Sequence, residues 1–301
     1  MNTTIIKSIF FAAALMAFGA WAETETVDGI AWAYRVVDGK AEIYNNAISI
    51  ATSGAITIPS KLGSKPVTSI GELSFHGCSG LTSVTIPNSV TNIGVYAFRS
   101  CSSLASVTIP NGVTSIGDWA FLDCSGLTSV KISDSVTSIG DYAFYGCSGL
   151  VSVDIPDGVE SVGGWAFSGC SGLRRVTVPQ CVCDSQMYSV FNSAYQRITN
   201  VVVSSSVTNV GYRAFYGCGA LVSVSLPDGV ARIGDYAFSG CSSLARVVLP
   251  RSVANIESYA FLNCRSLANV IMPWIQYDSS AFTGCSSELV IRYWDEKKTN
   301  A

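Results

Sequence analysis

One pattern of residues returns every 23 positions along most of this chain, and it limits the folds that are possible. Segments 93–104 and 116–127 share a glycine, an Ala-Phe pair, a cysteine and a leucine at the same spacing, and further copies begin at Ile139 and Val162. A fixed period of this length is typical of a solenoid, in which each coil buries its apolar face against its neighbours. The pattern therefore predicts the buried residues, whereas a binding function would depend on exposed residues that differ between coils.

Each coil is expected to contain two short extended segments followed by a turn. In the copy from 81 to 101, Val84 and Ile86 alternate with hydroxyl side chains, which is the period-2 pattern of a strand with one buried face. Pro87 ends that strand because proline has no N–H to donate to a ladder. After the second segment, residues 96–98 are expected to form about one helical turn.

A phenylalanine stands at one register of the repeat and should form a continuous buried spine. The members of this column are Phe75, Phe98, Phe121, Phe144, Phe167, Phe191, Phe215, Phe238, Phe261 and Phe282.

Most of the eleven cysteines also occupy one register of the repeat. This ladder comprises Cys78, Cys101, Cys124, Cys147, Cys170, Cys218, Cys241, Cys264 and Cys285. Side chains in a ladder point the same way, which suits the torsion of a disulfide poorly, so we expect free buried thiols that meet backbone amides of the turn. Cys181 and Cys183 lie off the ladder, and two cysteines are too few for a structural zinc site. The sequence does not decide whether these two cysteines form a disulfide.

The full repeat, L-x-x-V-x-I-P-x-x-V-x-x-I-G-x-x-A-F-x-x-C, runs through 81–101 and returns at 221–241 with Leu226 in place of the isoleucine. It resembles the repeat of BspA-like leucine-rich-repeat proteins, and the resemblance covers roughly residues 56 to 291. It implies a leucine-rich-repeat solenoid of the α/β class, mostly β, with a curved parallel sheet, short helical turns on the opposite side and about ten coils. Proteins of this family are mostly secreted or displayed at the cell surface, and several act in adhesion. The family has no shared catalytic residues, so the resemblance implies none here.

The repeat and its limits divide the chain into segments. We expect a signal peptide at 1–22, an N-terminal capping region at 23–66, the solenoid at 67–291 with a degenerate coil at 180–200, and a C-terminal tail at 292–301. The degenerate coil is interpreted either as a bulged loop or as a recognition feature, since insertions in repeat proteins often lie on a binding face.

The first 22 residues combine a weakly positive start at Lys7, an apolar run over 9–17 and the A-x-A sequence at 20–22. These are the features of a cleaved secretory signal peptide, with an uncleaved anchor as the alternative. In the capping region, strand-like segments 30–37 and 41–48 flank Asp38-Gly39, which is a strong signal for a hairpin turn.

Signals for catalysis are nearly absent. His76 is the only histidine, it lies in a variable column, and any Ser-His-Asp or Cys-His mechanism would have to use it. Asp118, Asp141 and Asp235 share one register, and we interpret them as caps of the following turn rather than as Ca²⁺ ligands. The net charge of −3 gives no reason to expect a nucleic-acid partner. We therefore predict no enzyme activity, no metal and no cofactor.

Two exposed columns are candidate binding surfaces. The first is an aromatic stripe of Tyr96, Trp119, Tyr142 and Trp165. The stripe would serve either to bind a ligand or to stack ring upon ring, and we favour stacking. The second lies on the outward side of the strands, where hydroxyl residues give way to basic and apolar ones, and where our candidate residues for a partner are Arg175, Arg246, Val248 and Ile271. Arginine beside apolar residues favours binding on a concave solenoid face, although serine and threonine there would equally serve solubility.

The sequence therefore predicts a secreted or surface-exposed protein without catalytic activity, which binds or adheres through its concave face. The expected partner is an extracellular or cell-surface protein rather than a glycan, with no nucleic acid and no transmembrane span in the mature chain. The alternatives are a structural spacer or display scaffold of the envelope without a specific ligand and, more remotely, a hydrolase.

Overall fold

The computed structural model describes residues 22–294. Nearly all of the expected signal peptide lies outside the described residues, and so does the end of the expected tail. The described residues form a mostly β solenoid of about eleven coils with little helix. This confirms the solenoid that the repeat predicts and the leucine-rich-repeat architecture that the resemblance implies, with a coil number close to the expected ten.

The strands are short and follow one another along the whole described chain. In chain order they are β1 Glu23–Val27, β2 Ile30–Val37, β3 Lys40–Ile43, β4 Gly54–Thr57, β5 Lys61–Leu62, β6 Lys65–Ile70, β7 Leu81–Thr85, β8 Asn92–Ile93, β9 Ser106–Thr108, β10 Ser115–Ile116, β11 Ser129–Lys131, β12 Ser138–Ile139, β13 Ser152–Asp154, β14 Ser161–Val162, β15 Arg175–Val178, β16 Asn200–Val203, β17 Asn209–Val210, β18 Ser223–Ser225, β19 Arg232–Ile233, β20 Arg246–Val248, β21 Asn255–Ile256, β22 Asn269–Met272 and β23 Val290–Tyr293.

One strand from each coil joins a parallel array, and the array has three groups. Strands β4, β7, β9 and β11 form the first group, β13, β15, β16 and β18 the second, and β20, β22 and β23 the third. The register places equivalent residues of successive coils side by side, as for Ser83, Ser106 and Ser129. The predicted second extended segment is also confirmed, because two-residue strands such as β8, β10 and β12 pair in parallel along another side.

The predicted phenylalanine spine is confirmed. Rings stack from Phe75 to Phe191 and again from Phe215 to Phe282, with centroids 4.9 Å apart at the first step and 5.2 Å at the last. Every ring except that of Phe282 is fully buried. Burying such a side chain contributes roughly 1.5–3 kcal/mol, so the spine is a main source of stability.

All described cysteines are free, as the ladder predicts. Their hydrogen bonds differ from the expectation, because the thiol meets a carbonyl and not an amide. The Sγ of Cys124 donates to the carbonyl of Phe98 at 3.0 Å, and the Sγ of Cys147 donates to that of Phe121 at 3.3 Å. Each of these two thiols thereby ties its coil to the preceding one.

The expected helical turn at 96–98 is wrong in its backbone geometry. Tyr96 has a φ of +55°, which lies in the left-handed region, and its equivalents Trp119 and Tyr142 have φ values of +53° and +55°. Amides of this turn donate to the next coil: that of Trp119 donates to the carbonyl of Asp141 at 2.8 Å. The turn also keeps short-range bonds of its own, such as that from the amide of Leu122 to the carbonyl of Trp119 at 3.1 Å, so its amides are divided between the turn and the next coil.

The N-terminal hairpin is confirmed, with a shorter second strand than expected. Strands β2 and β3 are antiparallel around Asp38 and Gly39, which have φ values of +49° and +73°. Strand β3 ends at Ile43, and β1 pairs with the far side of β2. The ring of Trp32 stands edge-on to Phe75 at 6.2 Å, so the hairpin covers the first ring of the spine.

The break at 180–200 contains helix where a bulged loop was one expectation. Helix α1 spans Gln180–Asp184, α2 spans Met187–Phe191, and a 3₁₀ helix spans Asn192–Arg197. Phe191 still stacks on Phe167 at 5.4 Å, and Ala194 is buried where the ladder has cysteine. The extra residues are thus absorbed by helix while the core register is kept.

Candidate functional site

The candidate site is the outward side of the parallel array, which we call the strand face. Strands of the array turn alternate residues toward the core and toward solvent, as in β9, where Val107 is buried and Ser106 and Thr108 are exposed. Because successive strands are in register, these exposed positions form two columns along the solenoid. The core residues repeat from coil to coil, whereas the chemistry of these columns changes.

The first coils present a neutral, hydroxyl-rich surface. Ser83, Thr85, Ser106 and Thr108 line a shallow depression of about 610 Å³, and Lys131 stands at its far end. Hydroxyl groups can hydrogen-bond to water on an exposed strand, but they carry no charge that would attract a ligand strongly.

A second depression of about 560 Å³ follows in the middle of the strand face, and it is rich in carboxylates. Asp134, Asp154 and Asp157 line it together with Arg175, and Asp134 also lines the first depression, so the two are continuous. The hydroxyl of Thr177 donates to the Oδ1 of Asp154. We call this stretch the acidic groove. Sequence reasoning missed it, although Asp134 and Asp157 both stand in the column that follows the strand-ending proline.

The structure brings together three of the four predicted partner-binding residues and separates the fourth. Val248 in β20 lies directly opposite Ile271 in β22, and Arg246 is two residues before Val248 on the same exposed side. Arg175 lies in the acidic groove instead, with β16 and β18 between it and Arg246. Within residues 22–294 neither arginine forms an ion pair.

Aromatic and basic residues that the sequence analysis missed surround the C-terminal group. The side chain of Trp274 is 79% exposed, and its ring lies 4.5 Å from that of Tyr293. The guanidinium of Arg251 lies 5.5 Å from the ring of Trp294. Burial, and then the nearby Tyr293, raises the pKa of Tyr277. Arg251 and Trp274 occupy the same column after proline that carries Asp134 in the acidic groove, so a column-by-column comparison would have found them.

The aromatic stripe stacks on itself, as favoured. Centroids are 5.2 Å apart between Tyr96 and Trp119 and 5.5 Å apart between Trp119 and Tyr142, with nearly parallel rings. Trp165 departs from this order, because its ring is edge-on to Tyr142 and it is exposed. Most of the stripe is therefore occupied by its own stacking.

After the break, Arg213 takes the aromatic position, with the same left-handed backbone. Its guanidinium lies 5.0 to 5.5 Å from the rings of Tyr212, Tyr216 and Tyr236. These contacts are within the range of cation–π attraction, so an arginine replaces the stacked ring without interrupting the column.

The expectation that Asp118, Asp141 and Asp235 cap their own turns is wrong. The Oδ1 of Asp118 accepts from the amide of Asp141 at 2.8 Å, and that of Asp141 accepts from the amide of Gly164 at 2.6 Å. At Asp235 the amide itself donates to the carboxylate of Glu257 at 3.2 Å. These carboxylates connect neighbouring coils, because the turn that they were expected to cap is not helical.

In the part of the chain that the structure describes, the one histidine stands apart from other groups that could act with it. The side chain of His76 is half-buried and makes no hydrogen bond among the described residues to a carboxylate or hydroxyl. Across the same residues, no group of three or more His, Cys, Asp or Glu is placed to hold a metal ion. Nor do residues 22–294 contain a helix with the length and apolar character needed to cross a membrane.

Comparison with known proteins finds solved structures with leucine-rich repeats. Among solved structures, a leucine-rich-repeat protein of T. pallidum is 27% identical, with a TM-score of 0.50 over 70% of this chain and 86% of that one. A leucine-rich cell surface protein from Faecalibacterium prausnitzii is 24% identical, with a TM-score of 0.36 over 91% and 95% of the two chains. A leucine-rich-repeat protein from Bacteroides ovatus is 22% identical, with a TM-score of 0.42 over 90% and 99%. Among curated proteins, none matches this chain.

The family model for the BspA-type leucine-rich repeat region matches residues 68–196 and 186–295. These matches cover most of the chain and contain the coils whose phenylalanine and cysteine columns are described above. The chain belongs to the BspA-type leucine-rich-repeat family.

Proposed function

We propose that this protein is an exported, non-catalytic solenoid that binds an extracellular or cell-surface protein through its strand face. The observation that carries the proposal is the variation of the strand face along a core that does not vary. Arg175 and Arg246 are exposed there without an ion pair in the described chain, and Val248 and Ile271 form a half-exposed apolar pair beside Arg246. Arginine next to apolar side chains is a composition typical of binding hot spots.

The export part of the proposal rests on the leader-like residues 1–22, whose cleavage near Ala22 would release the mature chain. The proposed organisation keeps a cap at 23–66, the solenoid at 67–291 and a tail at 292–301. The hairpin over Phe75 supports the cap, since a solenoid needs its first coil covered.

The non-catalytic part rests on His76. A general base needs a partner that orients it and a nucleophile within hydrogen-bond reach, and the ring of His76 has neither among the described residues. Activity on any substrate that disappears in His76→Ala would contradict this part.

Capture by the immobilised mature chain, followed by affinity measurement on the purified partner, tests the proposal. We compare the parent with the Arg175→Ala/Arg246→Ala double variant and with Arg265→Ala, which removes an exposed arginine from a turn. The double variant should raise the Kd by about tenfold or more, since a hot-spot residue contributes about 1–2 kcal/mol to binding. The Arg265→Ala control should bind as tightly as the parent. Equal and negligible capture by all three proteins would favour a structural spacer instead.

A further inference from the structure

We propose that the C-terminal end of the strand face binds an extended acidic polypeptide segment that also carries apolar side chains. This inference rests on the proposed function and names the chemistry of its partner. The site, which we call the basic-aromatic zone, consists of Arg246, Arg251, Arg292, Trp274 and Tyr293 around the apolar pair described above.

Within residues 22–294, no ion pair neutralises the positive charge of the zone. Ion pairs in residues 22–294 join Arg35 to Glu42 and Arg232 to Glu257, and neither involves the arginines of the zone. Arg292 lies opposite Ile271 in the register, on the same strand face as Arg246. Each guanidinium presents several donors to a carboxylate and matches it in two-pronged geometry. The zone is therefore complementary to carboxylates of a partner.

The same surface exposes large apolar and aromatic side chains. Trp274 is the most exposed of the large hydrophobic residues in the described chain, and it lies against Tyr293. Tryptophan, tyrosine and arginine are the residue types enriched in binding hot spots. A purely charged partner would leave these rings exposed, so the ligand needs apolar side chains between its carboxylates.

Within residues 22–294, the outer edge of β23 is unpaired, and this favours an extended polypeptide over a glycan. In the described residues β23 has one neighbouring strand, β22. The amides of Val290 and Trp294 donate to carbonyls of Ala268 and Met272 on that side, at 2.9 and 3.1 Å. Amides alternate in direction along a strand, so those of Ile291 and Tyr293 face away from β22. Free groups at a sheet edge can pair with an added strand, which gives main-chain affinity.

The acidic groove restricts where such a ligand can lie. Asp134, Asp154 and Asp157 on the same face would repel a partner rich in carboxylates. A long polyanion that follows the face would meet this repulsion, whereas a short segment confined to β20, β22 and β23 would not. The distribution of charge along the strand face thus favours a short peptide that binds at β20, β22 and β23 only.

Fluorescence anisotropy of labelled peptides with the full chain tests the inference. The probe is a short peptide in which Asp and Glu alternate with Tyr and Val, its twin carries Asn and Gln in place of the acids, and dextran sulfate is the polyanion. We expect the acidic peptide to bind about tenfold or more tightly than its twin, with affinity falling as salt rises. Trp274→Ala and Arg292→Gln should each weaken binding by about fivefold or more, and Arg265→Gln should leave it unchanged.

Three outcomes would overturn the inference. These are equal binding of the two peptides, no binding of either, and binding of dextran sulfate that Trp274→Ala does not change. Because these side chains are exposed, all variants should unfold at the temperature of the parent. If Trp274→Ala unfolds at a lower temperature, Trp274→Gln takes its place. If a protein partner is lost with Arg175→Ala but kept with Trp274→Ala, this inference fails while the proposed function stands.

Discussion

The rings of Phe121 and Phe144 lie 5.0 Å apart, centroid to centroid, and within 1° of parallel. They come from neighbouring coils, and each is also stacked on a ring on its other side. Phe144→Ala would leave a cavity in the middle of this stack. We expect the free energy of unfolding to fall by about 3–5 kcal/mol, as measured by urea denaturation. The control is Tyr145→Ala, which removes the adjacent exposed ring and should cost less than about 1 kcal/mol. A Phe144→Ala protein that unfolds like the parent would contradict the buried spine.

Two adjacent glycines differ in the space that surrounds them, and this gives a second prediction. A Cβ on Gly163 would lie 2.5 Å from the carbonyl carbon of Gly140, whereas a Cβ on Gly164 would have its nearest neighbour at 3.7 Å. Gly163→Ala should therefore force coils apart and cost about 1–3 kcal/mol. Gly164→Ala should be neutral or stabilise by up to about 1 kcal/mol, because it restricts the unfolded chain. Thermal unfolding of the two variants in parallel decides the matter, and equal melting temperatures would argue against this packing between coils.

The repeat allowed the buried columns to be predicted because a fixed period determines which residues become neighbours. The burial of Phe121 and Cys124 could be predicted without knowing any particular contact, since each lies next to the equivalent residue of the neighbouring coil. The hairpin at Asp38-Gly39 was equally accessible, because its turn chemistry is local. Features that depend on spacing alone were thus within reach.

What the sequence did not reveal depends on geometry that local preferences oppose. An aromatic residue such as Trp119 rarely adopts a positive φ, so the local pattern indicated a helical turn. The error propagated to Asp118, which was assigned to cap that turn and instead accepts from the next coil. The contact between Trp274 and Tyr293 joins parts of the last coils where the repeat motif has decayed, so no copy elsewhere in the chain signalled it.

The buried thiols predict a loss of stability in alkali. Burial raises the pKa of Cys124 from 9.0 to about 12 and that of Cys78 to about 11. A thiol is neutral when protonated, so in this range the native state keeps a proton that the unfolded state has lost. The stability is therefore complete below pH 9 and falls as the pH rises toward the native pKa, by about 1.4 kcal/mol per pH unit for each thiol. Urea midpoints at about pH 8 and pH 10 measure the slope, which Cys124→Ala should reduce by one thiol's share. A slope that Cys124→Ala does not change would exclude this origin.

The left-handed aromatic column yields a prediction about residue type at one position. Trp119 has a φ of +53°, and both Trp119→Asn and Trp119→Val remove its stacking with Tyr96 and Tyr142. Asparagine tolerates the left-handed region, whereas β-branched valine is strongly disfavoured there. The valine variant should therefore be less stable than the asparagine variant by about 1–2 kcal/mol in urea denaturation.

Thr114 provides the matched control for this comparison. It is exposed in the same coil and has no positive φ, so the order should reverse there, because valine suits an extended backbone better than asparagine. If Trp119→Val were as stable as Trp119→Asn, the positive φ of the column would be wrong. The amide of Trp119, which donates to the carbonyl of Asp141 at 2.8 Å, would then be held by a different backbone geometry.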